Sequence, residues 1–247
     1  MIVITNDVYV LDTMDYSIND VGPDSTVTVS LSDGESVVAQ RGAIAAKSPT
    51  VSASTGTGQG GLRGTIKGGV TSGELQLQNT LTADGEGWVE LTVPFPSEIT
   101  AVELDDESVY TRAHTYLGGD PTLDVDYEAG DAVEFVKDGG ITFTKISGSG
   151  TIFVAALGGS RTISVDDHDA YGIGVQHVVL FDASLNYNLG GVGNISASLL
   201  GGEGKICEFN GHGDVIMQTS SRDGLREYLD IEVDEDGGGK LSSMLDR

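Results

Sequence analysis

At 247 residues and 38% apolar composition, the chain can build one large core or two ordinary ones, which excludes disorder as its default state. Asp and Glu number 38 against 13 Lys and Arg, a formal charge of -25 spread along the chain, and this excludes nucleic acid as an expected partner. Dispersed acidity of this kind suits a protein that must stay hydrated in concentrated salt, so a halophile's cytoplasm is the expected setting.

The N-terminus, MIVITNDVYVLD, lacks the basic start and long apolar stretch of a secretory signal. No run approaches the ~20 apolar residues of a spanning helix. A soluble, cytoplasmic protein is expected. TVTVSL (26–31), ELQLQ (74–78), SVYTR (108–112) and TLDVDY (122–127) alternate with period two, as strands with one wet face do. TIFVAAL (151–157) and HVVLF (177–181) are short and continuously apolar, which suits strands buried on both faces. Between the first of these strands, residues 56–73 hold eight glycines in 18 residues. Two readings fit them: a surface loop, or a contact segment in which Leu62, Arg63, Ile66 and Lys67 meet a protein partner or a membrane surface. Cys207, in KICEFNG, reads as an inward-facing thiol on a strand, and as the only cysteine it can form no internal disulfide. From residue 221 onward a short helix capped by Ser221 leads into an acidic, glycine-containing tail.

Three glycine pairs impose a period on this order. Gly85/Gly87, Gly148/Gly150 and Gly211/Gly213 are spaced by 63 residues, and each runs straight into a strand. A phosphate-binding loop would run into a helix instead. The glycines are therefore read as structural turns, with Gly87, Gly150 and Gly213 expected to take positive φ on entering the central strand of each unit. A second landmark agrees: Leu31, Leu104 and Val165 correspond, as do Ser48-Pro49, Asp120-Pro121 and Asp182-Ala183. The expected fold is all-β, with residues 1–220 forming one domain of three pseudo-symmetric, sandwich-like repeats (about 20–87, 88–150 and 151–219), followed by a short helix and acidic tail over 221–247.

No constellation of residues specifies a reaction. DDHD (166–169), with His168, aligns with SDGE (32–35) and DDE (105–107), which makes all three acidic hairpin turns rather than metal ligands. His114 and His177 lie 63 apart, but the local repeat offset of 61 to 62 puts them on opposite strand faces, so they are read as single histidines. DIEVDEDG (230–237) fails as a calcium loop, because Glu235 and Leu241 stand where Gly and Glu are required. No catalytic residue, cofactor or metal site is expected.

With the repeat laid out, GELQLQNTLTADGEGWVELT, GGITFTKISGSGTIFVAALGG, HVVLFDASLNYNL and the closing GGEG…G-x-G…V-x-x-Q-T together resemble a family of mitochondrial biogenesis proteins first named for altered inheritance of mitochondria, in its archaeal or bacterial form. The resemblance spans about residues 20–220. It implies a repeat fold similar to the tryptophan RNA-binding attenuation protein, often assembled as oligomers, and it brings no catalytic residues with it. The expected role is a non-catalytic structural or interaction module, scaffolding or membrane-associated, that forms a homo-oligomer, a trimer by preference, and docks an unknown protein partner. The alternative is a small-molecule or metal-binding protein or enzyme with a cupin-like pocket.

Overall fold

The computed structural model describes residues 3–4, 14–21, 24–57, 77–112, 114–126, 143–166, 170–189 and 206–229. In chain order the strands are β1 (Val3–Ile4), β2 (Asp15–Val21), β3 (Asp24–Leu31), β4 (Ser36–Gln40), β5 (Ile44–Lys47), β6 (Val51–Thr57), β7 (Leu77–Ala83), β8 (Gly87–Leu91) and β9 (Ser97–Arg112). They continue with β10 (Tyr116–Gly119), β11 (Asp124–Asp126), β12 (Phe143–Leu157), β13 (Ser160–Val165), β14 (Tyr171–Gly174), β15 (Val178–Asp182), β16 (Asn186–Leu189), β17 (Ile206–Asn210) and β18 (Gly213–Gln218). A helix, α1 (Arg222–Tyr228), follows, so the expected all-β body with a short C-terminal helix is what forms. Ser221 caps it as expected, its side chain accepting from the Gly224 N–H at 3.0 Å.

The strands form where side chains alternate. β3 buries Val27, Val29 and Leu31 on one face while Thr28 and Ser30 on the other are more exposed. TIFVAAL and HVVLF, which do not alternate, are buried on both faces. Among the described residues all pairing is antiparallel, in three sheets. The largest has eleven strands along the path β13-β18-β15-β9-β12-β10-β4-β7-β6, with β1 added on β9 and β11 on β12. A four-stranded sheet, β2-β3-β8-β5, and a three-stranded sheet, β14-β17-β16, are separate from it.

Three core clusters result. In the first, Val27, Val29, Val89 and Leu91 of the four-stranded sheet meet Val37, Leu81 and Phe153 of the large sheet. In the second, Val102, Leu104, Ile146 and Ile152 pack with Val179, Leu180 and Ile216. In the third, Ile173, Cys207 and Phe209 of the three-stranded sheet meet Val165, Phe181 and Val215. Each fully buried Val, Leu, Ile or Phe contributes about 1.5–3 kcal/mol. Leu31, Leu104 and Val165, aligned in the sequence, fall one to each cluster.

Two of the three acidic segments are not hairpin turns. Residues 32–35 form a corner that carries the chain from β3 in one sheet to β4 in another. The DDE segment interrupts nothing: β9 runs through Asp105, Asp106 and Glu107. The reason is a bulge, since Gly148 pairs with Glu107 and Gly150 with Leu104, leaving two residues of β9 opposite one of β12. Asp106 takes φ +55 there, and its N–H donates to Ser149 Oγ at 2.9 Å. Of DDHD only Asp166 is among the described residues.

Candidate functional site

Polar residues concentrate at two kinds of place, and the first is a construction that recurs three times. Thr50 Oγ1 donates to the Glu86 carbonyl (2.9 Å), Thr122 Oγ1 to the Ser149 carbonyl (3.3 Å) and Ser184 Oγ to the His212 carbonyl (3.0 Å). The acceptor in each case is the middle residue of a G-x-G. The second glycine of each pair sits against the residue two positions before that donor. A Cβ on Gly87 would lie 2.8 Å from Ser48 Oγ, one on Gly150 2.8 Å from Asp120 Cβ, and one on Gly213 2.9 Å from Asp182 Cβ.

Positive φ falls elsewhere than expected. The first glycines carry it, at +91° for Gly85, +124° for Gly148 and +107° for Gly211. Among the second glycines only Gly150 does, at +151°, whereas Gly87 and Gly213 are absent from the positive-φ residues. The requirement at Gly87 and Gly213 is close approach of a neighbouring turn, which spacing alone does not distinguish from backbone geometry. Gly87 and Gly213 open β8 and β18, but Gly150 lies inside β12.

Within this construction Asp182 is buried, and its Oδ2 accepts the Asp214 N–H at 2.8 Å. Burial pushes its carboxyl above the usual range, and the Asp214 hydrogen bond opposes that rise only in part. Asp214 in turn accepts from Ser164 Oγ at 2.7 Å. Asp120 Oδ1 accepts from the Thr122 N–H at 2.8 Å and, at 2.6 Å, takes the larger share of the single Thr122 hydroxyl proton that the Ser149 carbonyl also faces.

The second place is a seam of long-range hydrogen bonds around Arg112, within electrostatic reach of Arg222 and Asp223 at the start of α1. Arg112 Nη1 donates to the carbonyls of Val175 (3.3 Å) and Gln176 (3.0 Å), in the 3-10 turn that precedes β15. Gln218, 1% exposed, donates from Nε2 to the Gln176 carbonyl and accepts the Leu157 N–H at Oε1. His177 Nδ1 donates to the Gln218 carbonyl at 2.8 Å. Burial lowers the Arg112 guanidinium to about 10, and nearby Arg222 adds to the effect. His114 is pushed down to about 3, first by burial and then by Arg112 and Arg222. Its Nε2 is buried without a hydrogen-bond partner. Sequence reasoning does not single out Arg112, and it meets Gln218 only as the glutamine of the closing V-x-x-Q-T, with no role assigned to it. The available signal is a glutamine ending a strand, GDVIMQ, whose other residues are mostly buried.

Cys207 is fully buried on β17, as expected, and burial pushes its thiol up to about 12. Among the described residues, no three His, Cys, Asp or Glu side chains converge to hold a metal, and no helix is long and apolar enough to cross a membrane. Leu62, Arg63, Ile66 and Lys67, the expected partner contacts, lie outside the described residues, as do residues 230–247.

The chain has similar counterparts among known proteins. A family model described as mitochondrial biogenesis AIM24 matches residues 16–220. A curated relative from Streptococcus pyogenes serotype M6, named uncharacterized protein M6_Spy0233, is 28% identical over 201 residues, which cover 78% of this chain and 80% of that protein. A crystal structure of protein SPYM3_0169 from Streptococcus pyogenes has a similar fold, with a TM-score of 0.68 at 21% identity over 88% of this chain and 98% of the other.

Proposed function

The chain belongs to the mitochondrial biogenesis AIM24 family, and from that premise we propose that it is a non-catalytic scaffold that docks protein partners, further copies of itself among them. One observation carries the reading. The polar residues that the repeat places at corresponding positions, Thr50, Thr122 and Ser184 with Ser48, Asp120 and Asp182, are engaged in joining strands within the body. Thr50, Thr122 and Ser184 are exposed, but Ser48, Asp120 and Asp182 are buried and committed to hydrogen bonds within the body, so withdrawing one of these to handle a substrate would leave its partner unsatisfied. A rigid body with wide sheet surfaces is suited to docking. The same three constructions support a body of three pseudo-symmetric units related to the tryptophan RNA-binding attenuation fold. The carboxylate excess supports a cytoplasmic setting rich in salt.

The test is the full chain purified without chelators. Its metal and small-molecule content should fall well below one equivalent per chain, while crosslinking in a native-salt lysate of the source cell should return a defined set of protein partners. A stoichiometric metal or organic ligand would overturn the scaffold reading in favour of a cupin-like binder.

A further inference from the structure

Carboxylates outnumber Lys and Arg by 38 to 13, so an arginine without one is unexpected in this chain. Arg112, which ends β9, is half-buried and forms no ion pair among the described residues. Its Nη1 is spent on the Val175 and Gln176 carbonyls, which leaves the N–H groups of Nε and Nη2 without an acceptor among the described residues. The charges that reach it are Arg222, which repels it, and more weakly Asp223, which Arg226 already engages at 3.5 Å.

Two further groups converge on it. The Gln176 carbonyl takes Gln218 Nε2 at 2.9 Å as well as Arg112 Nη1 at 3.0 Å, so the end of β18 is anchored beside the guanidinium and Arg222 follows shortly after. The Thr115 N–H donates to the Arg112 carbonyl at 3.0 Å, closing a turn that keeps His114 next to Arg112. The His114 side chain is half-buried, and its Nε2 is buried with no hydrogen-bond partner. Burial first, then Arg112 and Arg222, push its ring down to about 3. His177 stands in the same seam, with its Nδ1 committed to the Gln218 carbonyl.

As it stands this arrangement is costly. Two guanidiniums repel each other, one of them is half-buried without a counter-charge, and a buried ring nitrogen is unpaired. A metal cation would add to the repulsion, whereas an oxyanion relieves all three costs at once. A carboxylate brings one charge; a phosphate group brings close to two, matching the two guanidiniums. We propose that Arg112, His114 and Arg222 form a binding site for a phosphate-class oxyanion, gripped by the Nε and Nη2 N–H groups of Arg112, by His114 Nε2 and by the charge of Arg222. The half-exposed imidazole turns its Nε2 to the ion on binding. The ion is free phosphate or the end of a phosphomonoester, since the same groups recognise both. The site stands apart from the scaffold reading, because an exchangeable ion lost on dialysis is no resident metal or cofactor.

The test is nuclear magnetic resonance of the His114 ring nitrogens in the full chain, in molar potassium chloride, with phosphate exchanged for chloride at constant ionic strength and circular dichroism as the folding control. Phosphate should move the Nε2 signal saturably, and the ring's titration should rise from about 3, since the bound charge offsets the two arginines. Arg222→Gln, at an exposed position, should weaken phosphate binding about tenfold or more, as loss of a charged partner does. Arg112→Lys should weaken it as well, and the Arg222 variant decides the matter if the Arg112 variant fails to fold. Methyl phosphate bound alongside phosphate would support the site as one for a monoester's end, and its exclusion would support it as one for free phosphate. A His114 signal indifferent to phosphate, an undiminished response in Arg222→Gln, or a shift that nitrate produces as readily would overturn the proposal. Binding that appears only when residues 230–247 are deleted would assign these cations to the chain's own carboxylates and overturn it too. None of these results bears on partner capture, which tests the scaffold separately.

Discussion

At the scale of single residues, two reasons for glycine stand side by side in one motif and can be separated by measurement. Gly85 has φ +91° and open space for 4 Å around the place a Cβ would take, whereas a Cβ on Gly87 would meet Ser48, Thr50 and Val51 at 2.8 Å. Alanine at Gly85 should cost ~1 kcal/mol through backbone strain alone, additively with Val51→Ala. Alanine at Gly87 should cost more, and Val51→Ala should relieve part of it, as a denaturant double-mutant cycle would show. Gly150, subject to both constraints, should lose at least ~1 kcal/mol on substitution by Val.

Two titrating residues should pull stability in opposite directions with pH. The folded pKa of Asp182 is raised, so the folded state holds that proton more tightly, and its contribution improves as pH falls through the raised value. Asp182→Asn keeps an acceptor for the Asp214 N–H and should be at least as stable as the parent at neutral pH, with the difference closing on acidification. His114 works the other way. The unfolded chain binds a proton below the ordinary 6.5 and the folded chain only near 3, so stability drains away between those values. His114→Phe should flatten that slope in unfolding midpoints followed from neutral to acid pH.

At the scale of elements, the alternating strands, the buried apolar runs and the Ser221 cap were legible because each depends on neighbours within a few residues. The two long strands were not. Asp105-Asp106-Glu107 has the composition of a turn, and only the partner strand, about 40 residues away, reveals that a bulge absorbs the extra residue. The seam around Arg112 was hidden for the same reason, since Arg112, Gln176 and Gln218 come together only through pairing of distant strands. β17 offers a direct probe of one element. Cys207 lies inside it with a thiol pushed up to about 12, so an aromatic disulfide reagent should react only when the β14-β17-β16 sheet opens. Its rate should fall as stability rises across mild denaturant concentrations; prompt labelling of the native chain would contradict the burial.

At the scale of the whole molecule, charge governs the response to solvent. Carboxylates within ~10 Å of one another repel at 0.1 M salt and far less at molar salt. The chain's -25 should therefore make its unfolding midpoint climb as salt is raised, and a midpoint indifferent to salt would contradict the repulsion. The paired long strands set how that unfolding proceeds. β9 gives Ile99 to the first cluster, Val102 to the second and Tyr110 to the third, while β12 gives Phe153, Ile146 and Phe143 to the same three. Strands common to all three clusters act as a shared spine, unlike a solenoid, where each repeat touches only its neighbours and the array can melt piecemeal. Heating should accordingly produce one calorimetric transition whose van't Hoff and measured enthalpies agree. A chain wired in this way cannot lend out a part of itself: no cluster could be excised or exchanged without cutting the ribbon that the other two are built upon.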